Sequence, residues 1–236
     1  MDKFDNISNN NNKYRRDSTA ACTKADVETH IKAQAVSDKY LNSLKEGDTV
    51  SVLFAGVGGQ GIILSSRVLA HAAINAGFDV KVSEVHGMAQ RGGSVEGSVR
   101  FGKKVYSPTT GEADFIIALE KLEALRYVPR LKSEGTVIIN DYEIYPSTLY
   151  SKDESYPEKI EKKIKKITPN SYFVPAVEIA KSLGEIRAAN IVLLGLLSNF
   201  LPFDCDCWIE SIEKNVKQKA VKLNIRAFVK GREECL

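Results

Sequence analysis

The chain has only four cysteines in 236 residues, and their positions make no framework. Cys22 lies in a polar N-terminal region, Cys235 is next to last, and Cys205 and Cys207 form an isolated C-x-C. A [4Fe–4S] cluster takes four thiolates and a structural zinc usually takes two ligand pairs, and neither set is encoded. Cys205 and Cys207 read as two reduced thiols at the start of a helix. Long apolar runs are missing too: none reaches the roughly 18–20 residues of a membrane-spanning helix. The N-terminus lacks the apolar core of a secretory signal, and the early acids Asp2 and Asp5 argue against a transit peptide. Charge of one sign is also scarce, since 33 basic and 30 acidic residues leave a formal net charge of +3. That balance gives no electrostatic case for a nucleic acid or a membrane as partner. The expected location is the cytoplasm.

What remains is the composition of an ordinary globular domain, 43% hydrophobic and 27% charged. Residues 1–47 stand apart. The stretch Met1 to Arg16 includes Asn9 to Asn12 and almost no apolar side chains, so it cannot offset its ordering entropy. From Asp26 to Leu44 the positions Val27, Ile31, Val36, Tyr40, Leu41 and Leu44 permit an amphipathic helix, which Glu46-Gly47-Asp48 interrupts. The domain proper is expected over 48–236.

Within it, strand-like and helix-like patterns alternate. Val50 to Ala55 is a short β-rich run, followed by helical spacing from Ile62 to Ala76 with Gly77 as its stop. Strands are expected over Asp79 to Ser83, Ser94 to Phe101, Phe115 to Leu119, Thr136 to Ile139 and Tyr172 to Val174. Helices are expected over Lys121 to Lys132, Ala176 to Leu183, Ala188 to Leu201 and two charged segments beyond. Lys159 to Lys166 reads as a solvated helix face. The expectation is an α/β fold: a Rossmann-like open, mostly parallel sheet with helices on both faces and a helical C-terminal part.

Gly56-Val57-Gly58-Gly59-Gln60-Gly61 fits G-x-G-x-x-G between a strand and a helix. Such a turn can bring unpaired helix N–H groups to a pyrophosphate, and Glu84 stands where an acid would meet a ribose. It can equally be a tight turn that packs a helix on a strand. The stretch SEVHGMAQRGGS, Ser83 to Ser94, bears on that choice. A dinucleotide domain sends its second strand into a helix, whereas here Asp79 to Ser83 runs through a polar, glycine-rich loop into another strand. Glu84, His86, Gln90, Arg91, Gly92 and Gly93 thus sit where ligands dock in such sheets.

These two motifs together resemble the gamma-type domain of 2-oxoacid:ferredoxin oxidoreductases, and among them the beta subunit of indolepyruvate ferredoxin oxidoreductase. The likeness extends to Tyr106-Ser107-Pro108, Gly111 to Asp114, Glu123-Ala124-Leu125 and Asn190 to Gly195, and covers about Val52 to Gly231. Residues 1–47 match nothing of that pattern. The resemblance implies a subunit inactive alone, with thiamine diphosphate, magnesium and [4Fe–4S] clusters in a large alpha subunit. It implies oxidative decarboxylation of an arylpyruvate with coenzyme A as cosubstrate and ferredoxin as electron acceptor. The glycine turn then becomes a feature of the fold.

Single residues keep alternatives. His86 could titrate facing a substrate or be held by a backbone carbonyl. Gln90 and Arg91 could orient an anion or brace an interface, and Glu84 could contact a ligand or anchor the loop. Gly92 and Gly93 answer to backbone conformation. His71 reads as a partly buried structural residue, His30 as part of the leader, Tyr106 to Pro108 as a turn and Asp114 as an anchor.

Overall fold

The computed structural model describes residues 48–85, 93–109, 111–144 and 156–234. The expected helix at 26–44 falls outside them, as do Cys22 and Cys235.

Nine residues, Thr49–Val57, form β1, buried almost throughout. Helix α1 (Ile62–Asn75) follows and ends at Gly77, whose φ of 86° supplies the left-handed turn. Next come β2 (Asp79–Val85) and β3 (Ser94–Gly102), then β4 (Ala113–Ala118). Helix α2 (Lys121–Tyr127) and a 3₁₀ turn (Val128–Arg130) lead into β5 (Leu131–Asn140). The rest is α3 (Ile160–Ile167), β6 (Ser171–Val174), α4 (Ala176–Ser182), α5 (Ala189–Leu197), α6 (Cys205–Asn215) and α7 (Val221–Glu233).

The six strands form one sheet in the order β2-β3-β1-β4-β5-β6. Strand β3 runs antiparallel to both neighbours, and the other pairings are parallel. Side-chain alternation divides the central strands between two cores. Val52, Phe54, Ile117 and Ile138 face α1, α5, α6 and α7, with Trp208 and Phe228 fully buried among them. Leu53, Ala55, Ile116 and Ile139 face α2 and α3. The expected architecture is therefore present, helices on both faces included.

Several boundaries differ from the sequence reading: β5 begins at Leu131 instead of Thr136, β4 spans Ala113–Ala118 instead of Phe115 to Leu119, and β2 runs on to Val85 instead of ending at Ser83. The helix expected over Lys121 to Lys132 stops at Tyr127, because Pro129 cannot donate to a continuing helix, and Lys132 belongs to β5. The helix expected to reach Leu201 ends at Leu197 and closes with a 3₁₀ turn over Ser198–Phe200. Helix α5 is buried at every position and lies directly against α7. A Cβ at Gly195 would come 2.1 Å from the Phe228 carbonyl, and one at Gly231 would come 1.9 Å from the Val192 carbonyl. Only glycine allows these backbones to approach so closely.

Candidate functional site

The carboxyl ends of β1, β2, β4, β5 and β6 share one edge of the sheet, and the glycine turn is at its centre. Gly59 and Gly61 both take positive φ, 103° and 87°, and Gly61 is the N-cap of α1. Its carbonyl accepts from Ser65 N at 2.9 Å and from Asn190 Nδ2 at 3.1 Å, which ties the turn to α5. Gln60 folds back into the turn. Its Oε1 accepts from Val57 N at 2.7 Å and its Nε2 donates to the Leu119 carbonyl at 2.8 Å. Gln60 N donates to the Val57 carbonyl at 3.1 Å, and Gly58 N donates to the Gly93 carbonyl at 2.9 Å. The amides of Val57, Gly58 and Gln60 thus all have partners inside the chain.

Beside this turn, α2 starts with two buried acids, Glu120 and Glu123. Glu120 caps the helix, its Oε2 accepting from Glu123 N at 2.8 Å. Its Oε1 accepts from the Tyr156 hydroxyl and from Ile144 N at 3.3 Å. The Tyr156 hydroxyl also accepts from Leu122 N at 3.0 Å. Burial, then the hydrogen bond to Glu120, push the Tyr156 pKa far above the ordinary phenol range. Glu123 reaches the other way. Its Oε2 accepts from Ser94 Oγ at 2.5 Å and its Oε1 from Arg126 at 2.6 Å. Burial raises its carboxyl pKa, and the pull of Ser94 and Arg126 does not cancel that effect.

Of the residues singled out from the sequence, Gly56, Gly58, Gly59, Gln60, Gly61 and Gly93 come together here. Glu84 is half-buried in β2, paired in register with Gly97. His86, Gln90, Arg91 and Gly92 lie outside the described residues. Strand β2 joins β3 as an antiparallel neighbour, a pairing that needs no crossover connection. The half-buried His71 is 2.7 Å from Asn215 Nδ2, tying α1 to α6. Asp114 accepts from Ser51 N at 2.8 Å and pairs with Lys132 at 2.7 Å, an anchor across β1, β4 and β5. The lysines of α3 face solvent. Cys205 and Cys207, in the first turn of α6, form no disulfide, and burial raises the pKa of Cys207. Among the described residues no group of three or more His, Cys, Asp or Glu side chains could hold a metal ion, and no helix is long and apolar enough to cross a membrane.

Glu120, Asn140 and Tyr156 were not singled out from the sequence, and Ser94 and Glu123 entered only as parts of matching strings. The one readable signal was an acid at the cap and another three residues on, the spacing of a capping pair.

An open sheet with one reversed strand, and a glycine turn bound to the entry of that strand, define a Rossmann-like α/β domain. The chain belongs to the pyruvate ferredoxin/flavodoxin oxidoreductase family, which it matches over residues 51–234. It is 40% identical over 193 residues to the indolepyruvate oxidoreductase subunit IorB of Archaeoglobus fulgidus, covering 79% of this chain and 96% of that one. Its fold matches the gamma subunit of the keto/oxoacid ferredoxin oxidoreductase of Geobacter sulfurreducens with a TM-score of 0.62 and 24% identity, over 80% of this chain and 97% of that one. It also matches part of the 2-oxoglutarate:ferredoxin oxidoreductase of Magnetococcus marinus, solved with 2-oxoglutarate, coenzyme A and succinyl-CoA. There the TM-score is 0.61 at 22% identity, over 79% of this chain and 31% of that one.

Proposed function

We propose that the chain is the small subunit of a thiamine-diphosphate-dependent 2-oxoacid:ferredoxin oxidoreductase that acts on indolepyruvate or a related arylpyruvate. The observation that carries this reading is the 40% identity to an indolepyruvate oxidoreductase subunit across almost its whole length. The reaction converts a 2-oxoacid, coenzyme A and two oxidised ferredoxins into an acyl-CoA, carbon dioxide, a proton and two reduced ferredoxins. The large alpha subunit supplies thiamine diphosphate, magnesium and the [4Fe–4S] clusters. Residues 48–236 act as one gamma-type domain beside that centre.

In this reading the loop from Glu84 to Gly93 faces coenzyme A, the 2-oxoacid or the subunit interface, and the glycine turn is scaffold. The internal partners of the Val57, Gly58 and Gln60 amides support the second point, since these three amides of the turn are bonded within the chain.

The test is recovery of the native complex. Affinity purification from source cells should bring down a large chain containing thiamine diphosphate and iron. That complex should reduce ferredoxin when given indolepyruvate and coenzyme A, while the isolated small subunit should not. A chain recovered alone that transfers hydride from a nicotinamide would overturn the proposal.

A further inference from the structure

We propose that the outer edge of β2 pairs with the same edge of a second copy of this chain, antiparallel about a twofold axis at Val80. The inference goes beyond the subunit reading and stands without it. Strand β2 comes first in the sheet order, so β3 pairs with one of its sides only. Among the described residues no backbone group bonds to its other side. A seven-residue strand left open along one edge is a template for another strand.

The residues on that edge are complementary to themselves. Val80 and Val82 lie opposite Phe101 and Val99 of β3, on the face that carries Phe78, and Val82 is 38% exposed. Phe78 is held by rings on both sides, 5.8 Å from Phe101 and 5.6 Å from Phe203. Asp79 and Lys81 take the opposite face, 3.6 Å apart. Lys81 lies opposite Arg100 in the ladder, and that guanidinium donates only to neutral groups, the Ser51 and Thr49 hydroxyls and the Ser107 and Thr109 carbonyls. With a cation on its inner side, Lys81 suits a carboxylate on its outer one. A twofold axis at Val80 supplies it twice: each Asp79 meets the second copy's Lys81, while Val80 meets Val80 and Phe78 meets Val82. Moving the axis one residue either way opposes Asp79 to Asp79 or Lys81 to Lys81, and an axis at Val82 sets Glu84 against Val80. The charges therefore select one register.

The experiment is sedimentation of the full chain across a range of concentrations, joined to a charge swap and a cross-link. A monomer–dimer equilibrium is expected with a dissociation constant of roughly 1–100 μM, as suits a short interface. Lys81→Glu and Asp79→Lys should each weaken self-association at least about tenfold, since both turn two attractive pairs into repulsive ones. Mixed in equal amounts, the two variants should associate again, because every carboxylate then faces a lysine. Mild oxidation of Val80→Cys should join two copies through that position, and Val82→Cys, four residues out of register with itself, should not cross-link. Asp79→Lys also deletes the acceptor of Val105 N, so if it does not fold, Lys81→Glu and the cross-link decide the question. A chain that stays monomeric at every concentration would overturn the proposal. A dimer as strong in Lys81→Glu as in wild type would do so too, as would Val80→Cys cross-linking no faster than Val82→Cys. Dimers that form only after removal of residues 1–47 would also overturn it, since the chain would then cover its own edge.

Discussion

The side-chain amides of Gln60 and Asn140 converge on one acceptor, the Leu119 carbonyl, at 2.8 and 3.1 Å. Gln60 comes from the turn after β1 and Asn140 from the end of β5, so the carbonyl after β4 joins three strand ends. Asn140 continues the chain of contacts, its Oδ1 accepting from Val177 N at 3.4 Å. The edge that carries the candidate site is therefore cross-linked by polar side chains that reach over the strand ends.

This arrangement makes Gln60 a stability residue. Gln60→Ala leaves Val57 N–H without its acceptor and removes one of two donors from Leu119. The expected loss is about 1–3 kcal/mol, or a melting temperature lower by roughly 3–10 °C for a domain of this size. Gln60→Glu keeps the acceptor for Val57 but sets a carboxylate against the Leu119 carbonyl, so its deficit should grow between pH 4 and pH 7. Thermal unfolding at those two pH values checks both expectations.

Much of this is legible in the sequence. Period-two and period-3.6 patterning located the strands and helices, since the central strands are apolar and the helices between them amphipathic. Gly77 and Pro129 show the limits of periodicity: Gly77 marks a helix end, whereas Pro129 breaks a helix that the apolar spacing alone carries on to Lys132. Gln60 could not be read as a latch, because its acceptor is 59 residues away in sequence. Asn190, 129 residues from Gly61, poses the same difficulty. Glycine spacing describes a turn but not which partners its amides will find.

The α5–α7 contact provides a sharper test of packing. Gly231→Ala would place a methyl 1.9 Å from the Val192 carbonyl, against backbone that cannot rotate away. The helices must separate, at a cost of about 3 kcal/mol or more. Chemical denaturation should show the loss, and Gly184→Ala provides a contrast. At Gly184 the added methyl meets nothing within 4 Å, so only its φ of 96° opposes the change.

Glu123 should leave a signature in the pH dependence of stability. Burial holds its folded-state pKa above the ordinary value of 4.5; Ser94 and Arg126 oppose that rise and Glu120 adds to it. Below the ordinary value the group is protonated in both states. As pH rises through the window up to the raised folded value, the unfolded chain gives up its proton first, and stability falls. Above the window the loss is constant. Glu123→Gln lacks this titration, so the difference in melting temperature between variant and wild type should shift in favour of the variant from pH 4 to pH 8. A difference that does not change with pH would contradict the assignment.

Dinucleotide binding should be weak. With the Val57, Gly58 and Gln60 amides already bonded within the chain, a pyrophosphate would have to displace Gln60 and break the Gly58–Gly93 contact. Two such losses at about 1–1.5 kcal/mol each weaken binding of NAD and NADP by roughly 30- to 150-fold relative to a turn with free amides. Calorimetry should show no micromolar site, and a micromolar site abolished by Glu84→Ala would reinstate a dinucleotide function.

Under the proposed function, Arg91 is the loop residue expected to meet an anion. It is preceded by Ala89-Gln90 and followed by Gly92-Gly93, small or polar neighbours that offer a guanidinium little to pack on. Its planar fork suits a carboxylate or phosphate, the anionic groups of a 2-oxoacid and of coenzyme A. In the assembled enzyme, Arg91→Ala should lower kcat/KM for one of these substrates by about 30- to 1000-fold, the equivalent of roughly 2–4 kcal/mol for a lost charge-assisted contact at a desolvated site. The free subunit should lose less than about 0.5 kcal/mol of stability, as for a surface side chain without structural partners. Steady-state kinetics with coenzyme A and the 2-oxoacid varied in turn identify which anion Arg91 meets. Unfolding of the free variant would make Arg91 an internal brace, and normal turnover in the complex would make it a solvated loop residue.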